Sequence, residues 1–390
     1  RRKQIMLKKL LPCLGNYKKY AVLTPVTVIG EVILEIFIPL IMARIIDVGI
    51  SNNDIDYVVR MGALMVLMAL FALLFGALSG RFAAVASMGF AKGIRKKLFD
   101  KIQEFSFANI DKFSTASLVT RLTTDINSVQ MAFMMVIRML VRAPIMLVSA
   151  TVMAIVINAR LAVIFLAAIS FLSSALYFIA TKAYPRFRTM LVKYDSMNAS
   201  VQEDLIAIRV VKAFVREEHE NEKFRKAADA VRKAQLKAEK MIILTMPIMQ
   251  FAMYCCMIAI SWFGGRMIIG GTLLTGELMS FISYVGQIMM SLMMITFVFV
   301  GIVMSRASIL RIIEVLDEEI DIDDKNVNMD LKVGDGTIVF DSVSFSYSKN
   351  KDNPTLNECS FEIKSGETVG IIGGTGSGKT SLVQLIPRLY

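Results

Sequence analysis

Residues Leu278–Ser305 read LMSFISYVGQIMMSLMMITFVFVGIVMS, a run without one charged side chain. A helix needs about 20 apolar residues to cross roughly 30 Å of hydrocarbon. This run meets that length, so it reads as a membrane span. Three others also lack any charge: Met61–Ser79, Leu161–Thr181 and Met241–Gly265. Two more carry one pair of charges each. Tyr20–Ala43 contains Glu31 and Glu35, and Met131–Ile157 contains Arg138 and Arg142. The reading is six spans within residues 20–305.

Composition agrees. The 390 residues are 55% apolar and 20% charged, against about 45–50% and about 25% in soluble domains. An ordinary soluble globule and a disordered chain are both excluded. A net charge of +11 would suggest nucleic acid in a soluble protein. Here the basic residues sit between spans, so the partner is a lipid bilayer and no nucleic acid is expected. The cysteines, Cys13, Cys255, Cys256 and Cys359, have no zinc or disulfide spacing. His219 is the only histidine, which argues against a His-based metal site or a Ser-His-Asp triad.

Lys and Arg set the orientation. The segment before the first span carries Arg1, Arg2, Lys3, Lys8, Lys9, Lys18 and Lys19. The loop of residues 82–130 carries Lys92, Arg95, Lys96, Lys97 and Lys101, and the loop of residues 182–240 is richer still. Asp47–Tyr57 has no Lys or Arg. The expectation is that both termini and both long loops are cytoplasmic. Residues 1–19 form an interfacial segment, in which Ile5–Leu14 mixes apolar side chains with Lys8 and Lys9.

Both long loops are rich in helix formers. Each is expected to be a hairpin of two long helices. The tips are placed near Asn109–Ser117 and Arg216–Asn221, with Ser114, Thr115 and Ser117 breaking the first helix and capping the next.

After the last span, Arg306–Leu316 continues as a charged helix, and Asp317–Asp324 reads as an acidic, solvated linker within residues 306–336. From Thr337 the period becomes two. Val343, Phe345 and Tyr347 alternate with serines, and Cys359, Phe361 and Ile363 with Ser360 and Glu362. A turn at Ser365-Gly366-Glu367 and a short buried strand at Thr368–Ile372 follow. That strand runs into Gly373-Gly374-Thr375-Gly376-Ser377-Gly378-Lys379-Thr380, the G-x-x-x-x-G-K-[ST] phosphate loop. Glycines let successive N–H groups face one phosphate. The next helix adds its positive end. Lys379 reaches the β- and γ-phosphates, the Thr380 hydroxyl takes Mg²⁺, and Ser381 follows in the cradle. The cofactors expected are ATP and Mg²⁺.

The fold class is therefore an α-helical polytopic membrane domain followed by the N-terminal part of an α/β P-loop domain, residues 337–390. Six spans, two long loops and a phosphate loop in this order resemble an ABC exporter half-transporter. Val343–Tyr347 (VSFSY), Ser117–Asp125 (SLVTRLTTD), Arg209–Glu220 (RVVKAFVREEHE) and Leu385–Tyr390 (LIPRLY) carry the same resemblance. More narrowly, the chain looks like one subunit of bacterial heterodimeric multidrug exporters. The resemblance implies a bacterial cytoplasmic membrane, a second half as partner (a heterodimer ahead of a homodimer), and a small amphipathic substrate, drug-like, lipid or peptide. It also implies that Tyr347 stacks on adenine and that the loop tips, matched at Ile110–Ser117 and Arg216–Phe224, act as coupling helices, the second against the partner. A nucleotide domain of this kind has about 200–250 residues. Residues 337–390 hold no second acidic strand, no base for water and no signature segment, so the catalytic residues are expected beyond Tyr390 and the chain reads as truncated. The alternative is a non-catalytic nucleotide-binding subunit with a regulatory role.

Charges inside spans are functional candidates. Glu31 and Glu35 share a helix face, as do Arg138 and Arg142. Either the acids line a path and attract cations, or they pair with the arginines and hold the bundle. The 27 methionines, five of them in Met279–Met294, suit either an adaptable pocket or plain packing.

Overall fold

A computed structural model describes residues 9–322, 334–347 and 354–390. Its helices are α1 (Lys18–Arg44), α2 (Ile55–Gln103), α3 (Phe107–Phe113), α4 (Thr115–Thr120), α5 (Ile126–Ile157), α6 (Ala159–Ile206), α7 (Ile208–Ala213), α8 (Glu217–Ile243), α9 (Thr245–Ile269), α10 (Thr275–Asp317) and, after two strands, α11 (Lys379–Leu385). Among the described residues six helical stretches are long and apolar enough to cross a membrane, as the hydropathy pattern requires. The chain divides into two compact units: Lys19–Val85 with Met134–Ile302, and Arg1–Lys18 with Ala86–Phe133 and Val303–Tyr390.

The first unit is built on one apolar cluster. Val28, Val32 and Ile36 of α1 meet Ala150 and Ala154 of α5, Phe165 and Leu172 of α6, Ile260 of α9, and Phe281 and Ile288 of α10. Phe165 and Phe281 stack with centroids 5.6 Å apart. Small residues on α5 let the backbones come close, which is how helices pack where lipid supplies no hydrophobic drive. Pro39 interrupts the α1 hydrogen-bond ladder. Helix α10 supplies donors there: Ser280 Oγ donates to the Pro39 carbonyl (2.7 Å) and Tyr284 Oη to the Ile36 carbonyl (2.9 Å). Leu67, Leu70, Leu73 and Leu74 of α2 are exposed. A bilayer covers such a face, so these leucines need no protein partner.

The second long loop lies in this unit as the hairpin of α6 and α8. Arg186 Nη1 donates to the Lys237 carbonyl (3.4 Å), and Val231 and Ala238 are buried between them. Its tip differs from the expectation. The turn is Ala207–Arg216, containing α7, and the segment Arg216–Phe224 opens α8 instead. The acids explain why. Glu217, Glu218 and Glu220 sit in the first turn of α8, where they meet the positive helix end. That acidic run is a helix start and not a loop.

In the second unit the residues Leu11–Tyr17 form a tight 3₁₀ turn, with Leu10 and Leu14 buried. This turn packs on Gly89 and Gly93 of α2. A Cβ at Gly93 would collide with the Cys13 carbonyl, and one at Gly89 with the Tyr17 ring. The remainder of the interfacial segment, residues 1–8, lies outside the described residues.

The first loop breaks where its serines stand. Ser106 and Asn109 form a capping box that starts α3. Ser114, with φ 57°, ends it, and its side chain accepts from the Ser117 amide (3.4 Å) to start α4. Residues Arg121–Asp125 then form a π-helical turn before α5.

Helix α10 continues unbroken to Asp317, as expected. The acidic stretch after it is not simply solvated. Lys9 pairs with Asp317 (2.7 Å), Lys112 with Glu318 (2.6 Å), and Ser106 Oγ donates to Asp321 (2.6 Å). Asp323 and Asp324 lie outside the described residues.

Strands β1 (Ile338–Phe345) and β2 (Leu356–Ile363) pair antiparallel. Phe340 and Phe361 stack across them at 4.5 Å. Register shifts flank Val343, and Ser342 there takes φ 48°. The strand expected at Thr368–Ile372 does not form, and Ile372 is 98% exposed. A buried strand exists through its neighbours' hydrogen bonds. The sheet among the described residues has two strands, and neither runs beside 368–372.

Candidate nucleotide site

The phosphate loop leads into α11. Gly376 (φ 86°) and Gly378 (φ 84°) occupy left-handed backbone that a side chain would strain. At Gly373 the limit is space, since a Cβ would stand 2.6 Å from Ser377 Oγ. Lys379 folds back over the loop. Its Nζ donates to the carbonyls of Gly373 (2.7 Å) and Gly374 (2.6 Å) and to Ser377 Oγ (3.4 Å). The ammonium is thus held against the loop of residues 373–377. Thr380 is exposed beside it. Among the described residues no three His, Cys, Asp or Glu gather to hold a metal. Thr380 presents a hydroxyl oxygen, the hard type of donor that Mg²⁺ takes.

Tyr347 follows β1. Its hydroxyl lies 2.8 Å from Ser381 Oγ, which is buried, and donates to Gln384 Oε1 at 3.2 Å. The ring meets Phe345 and Tyr390 edge-on, both at 4.9 Å, and stays 45% exposed. It is tethered to the helix that carries Thr380 while ring surface remains open.

No local pattern in the chain marks Tyr390 as a contact residue. It lies 5.9 Å from the Phe107 ring, and its hydroxyl donates to Asp111 at 2.7 Å. That hydrogen bond, burial and the Asp111 charge push its pKa up to about 12. Tip helix α3 therefore rests on the segment that follows the phosphate loop, within one compact unit.

The intramembrane charges assemble unequally. Arg142 holds Glu31 through Nη1 and Glu35 through Nη2 (2.7 Å). Ser79 Oγ donates to Glu31 at 3.5 Å, and Gly76 of α2 leaves the room that Glu31 fills. Arg138 joins neither acid. Its guanidinium lies against Gly80, and it makes no ion pair or hydrogen bond with the described residues. The acids thus pair with one arginine of the two.

A second charge cluster escaped the sequence reading. Arg311 Nε donates to Asp125 Oδ2 at 2.7 Å and its Nη2 holds the other oxygen. Arg121 Nη2 pairs with Glu314 at 2.9 Å. Burial raises the Asp125 pKa, but hydrogen bonds from Arg311 and Ser308 and the Arg311 and Arg121 charges outweigh it, and the net shift is downward. The stability from that charge is full above the ordinary Asp range and is lost as pH falls through the lowered value. The motif SLVTRLTTD contained Arg121 and Asp125. Their partners lie nearly 190 positions away, so no local spacing could reveal them.

Comparison with known proteins bears on the whole chain. Residues 22–292 match the family model described as ABC transporter transmembrane region, and residues 356–390 match the model described as ABC transporter. The uncharacterized ABC transporter ATP-binding protein YfiB of Bacillus subtilis is 35% identical over 98% of this chain. An uncharacterized ABC transporter ATP-binding protein of Mycobacterium tuberculosis is 32% identical over 99%. This chain spans 66% of the length of each. An ATP-dependent lipid A-core flippase of Syntrophus aciditrophicus is 29% identical over 76% of this chain and 49% of its own length. With the transmembrane-region match covering most of its length and six candidate spans ahead of a phosphate loop, this multi-pass membrane chain belongs to the ABC transporter family and has the half-transporter order of parts.

Proposed function

We propose that the chain works as one half of an ATP-driven exporter of amphipathic compounds in a bacterial cytoplasmic membrane, with its termini cytoplasmic. The carrying observation is the loop 373–380. Lys379 is held against it, in the same chain as a transmembrane region of the exporter kind. ATP phosphates would be held by the loop amides and Lys379, Mg²⁺ by Thr380, and adenine by the open face of Tyr347. The second half completes the site. We propose a heterodimer, in which the second loop's tip reaches the partner. Support comes from that tip, where Leu205, Ile206, Phe214 and Val215 are all exposed. A lipid-like substrate is favoured by the flippase relatives. With both intramembrane acids held by Arg142, attraction of cations by Glu31 and Glu35 is the weaker reading.

The test is hydrolysis by the assembled transporter in nanodiscs. Vanadate-sensitive ATPase activity that Lys379→Ala abolishes supports the proposal. Nucleotide binding without turnover in the presence of each candidate partner supports a regulatory subunit in its place.

A further inference from the structure

The cluster around Arg121 and Asp125 belongs neither to the phosphate loop nor to the span charges. Its chemistry is that of a joint. Arg121 is 8% exposed on its side chain and Asp125 1%. Charges are buried in this way only when paired and hydrogen-bonded, because desolvation costs several kcal/mol per ion. The pairing here is crossed. The loop's arginine binds the α10 acid Glu314, and the α10 arginine Arg311 binds the loop's acid Asp125. Both members of each helix lie on one face, at i,i+4 in the loop and i,i+3 in α10. The π-helical turn at Arg121–Asp125 widens the spacing of that face.

Arg121 has further duties. Its Nη1 donates to the Arg311 carbonyl (2.6 Å) and its Nε to Ser117 Oγ (3.3 Å). The guanidinium stands 4.8 Å over the Phe113 ring, which stacks on Phe105. One side chain therefore touches the end of α3, the start of α4 and α10. The contacts of Lys112 with Glu318, Ser106 with Asp321, and Asn109 Nδ2 with the Glu319 carbonyl (3.0 Å) continue the seam past the end of α10.

We propose that Arg121 and Asp125 are positioning residues, which with Arg311 and Glu314 lock the first loop's tip to the end of α10 so that tip and linker move as one body. The tie is bidirectional, so neither element can slide along the other without stripping two buried charges of their partners. A movement at the phosphate loop therefore reaches α10 through the tip that Tyr390 contacts. This rests on the exporter reading only for its use; the joint itself does not depend on it.

The experiment is hydrogen exchange on the full chain in nanodiscs, with and without Mg–ATP. Three variants are compared with the unaltered chain: Arg121→Lys, Asp125→Asn, and Asp125→Arg combined with Arg311→Asp. Lysine keeps the charge but cannot make the two-handed contact. Without nucleotide, amide protection across 107–120 and 308–317 should fall at least about tenfold in the two single variants and return in the charge-swapped one. With Mg–ATP, the unaltered chain should change exchange in 371–385, 107–120 and 308–317. In Arg121→Lys the change should still reach 107–113, which Tyr390 contacts, but not 308–317, a confinement that a merely stabilising pair does not produce. Unchanged protection in both single variants, or an equally wide spread in Arg121→Lys, overturns the proposal. No nucleotide effect at 371–385 in the unaltered chain removes the nucleotide reading instead, and the exchange without nucleotide still decides the joint.

Discussion

At the scale of residues, Glu31 and Glu35 show what a pattern of charges can and cannot convey. Their spacing placed them on one helix face, and so it placed Arg138 and Arg142. Which charges met across helices depended on α2, where Gly76 and Gly80 leave room for Glu31 and for Arg138. No period within α1 or α5 contains that information. Arg142 takes both acids, and this leads to a prediction. Glu35→Gln removes one hydrogen-bonded charge from a group that keeps Glu31. It should lower stability by about 1–3 kcal/mol in detergent unfolding, with transport of cationic and neutral amphiphiles falling together. Loss confined to cations would restore the path reading. The phosphate loop was legible to the single residue, because its chemistry demands glycine and lysine at fixed offsets whatever surrounds them.

At the scale of elements, helices that stand on their own periodicity were read well. The helical continuation of the second span appears as α2, 49 residues in one helix, about 74 Å at 1.5 Å per residue. Elements that exist through neighbours were read less well. Thr368–Ile372 has the composition of a buried strand, but pairing decides strands and composition only permits them. The tip of the second loop was misplaced because an acidic run signals both solvent and a helix start. The mixed polarity of Ile5–Leu14 reads as an interfacial helix. Its described part instead packs in a 3₁₀ turn on α2, at two glycines four apart. Gly93→Val puts a side chain where the Cys13 carbonyl lies, and overpacking of this kind costs about 1–3 kcal/mol. Limited proteolysis should then cut within residues 9–17, while cleavage elsewhere keeps its pattern. Unaltered resistance there would mean that the turn is not held by this contact.

At the scale of the molecule, six spans, two helical hairpins and a phosphate loop identify the family together where none does alone. The order of these parts was available from hydropathy and one motif. The connections among them were not: Arg311 with Asp125, Tyr390 with Asp111, and Lys112 with Glu318 join positions about 190 to 280 apart. Such pairs follow from the fold, since surface or buried charges of either sign have many possible partners in sequence. They also trace a route from the phosphate loop through a tip helix to the last part of α10, from Val303 on, inside one compact unit. The most direct test is ATP-dependent uptake of a fluorescent amphiphile into inverted membrane vesicles carrying the assembled transporter. Accumulation that needs Mg–ATP and disappears in Lys379→Ala is expected. Accumulation that persists without ATP, or that Lys379→Ala leaves unchanged, would contradict the exporter reading.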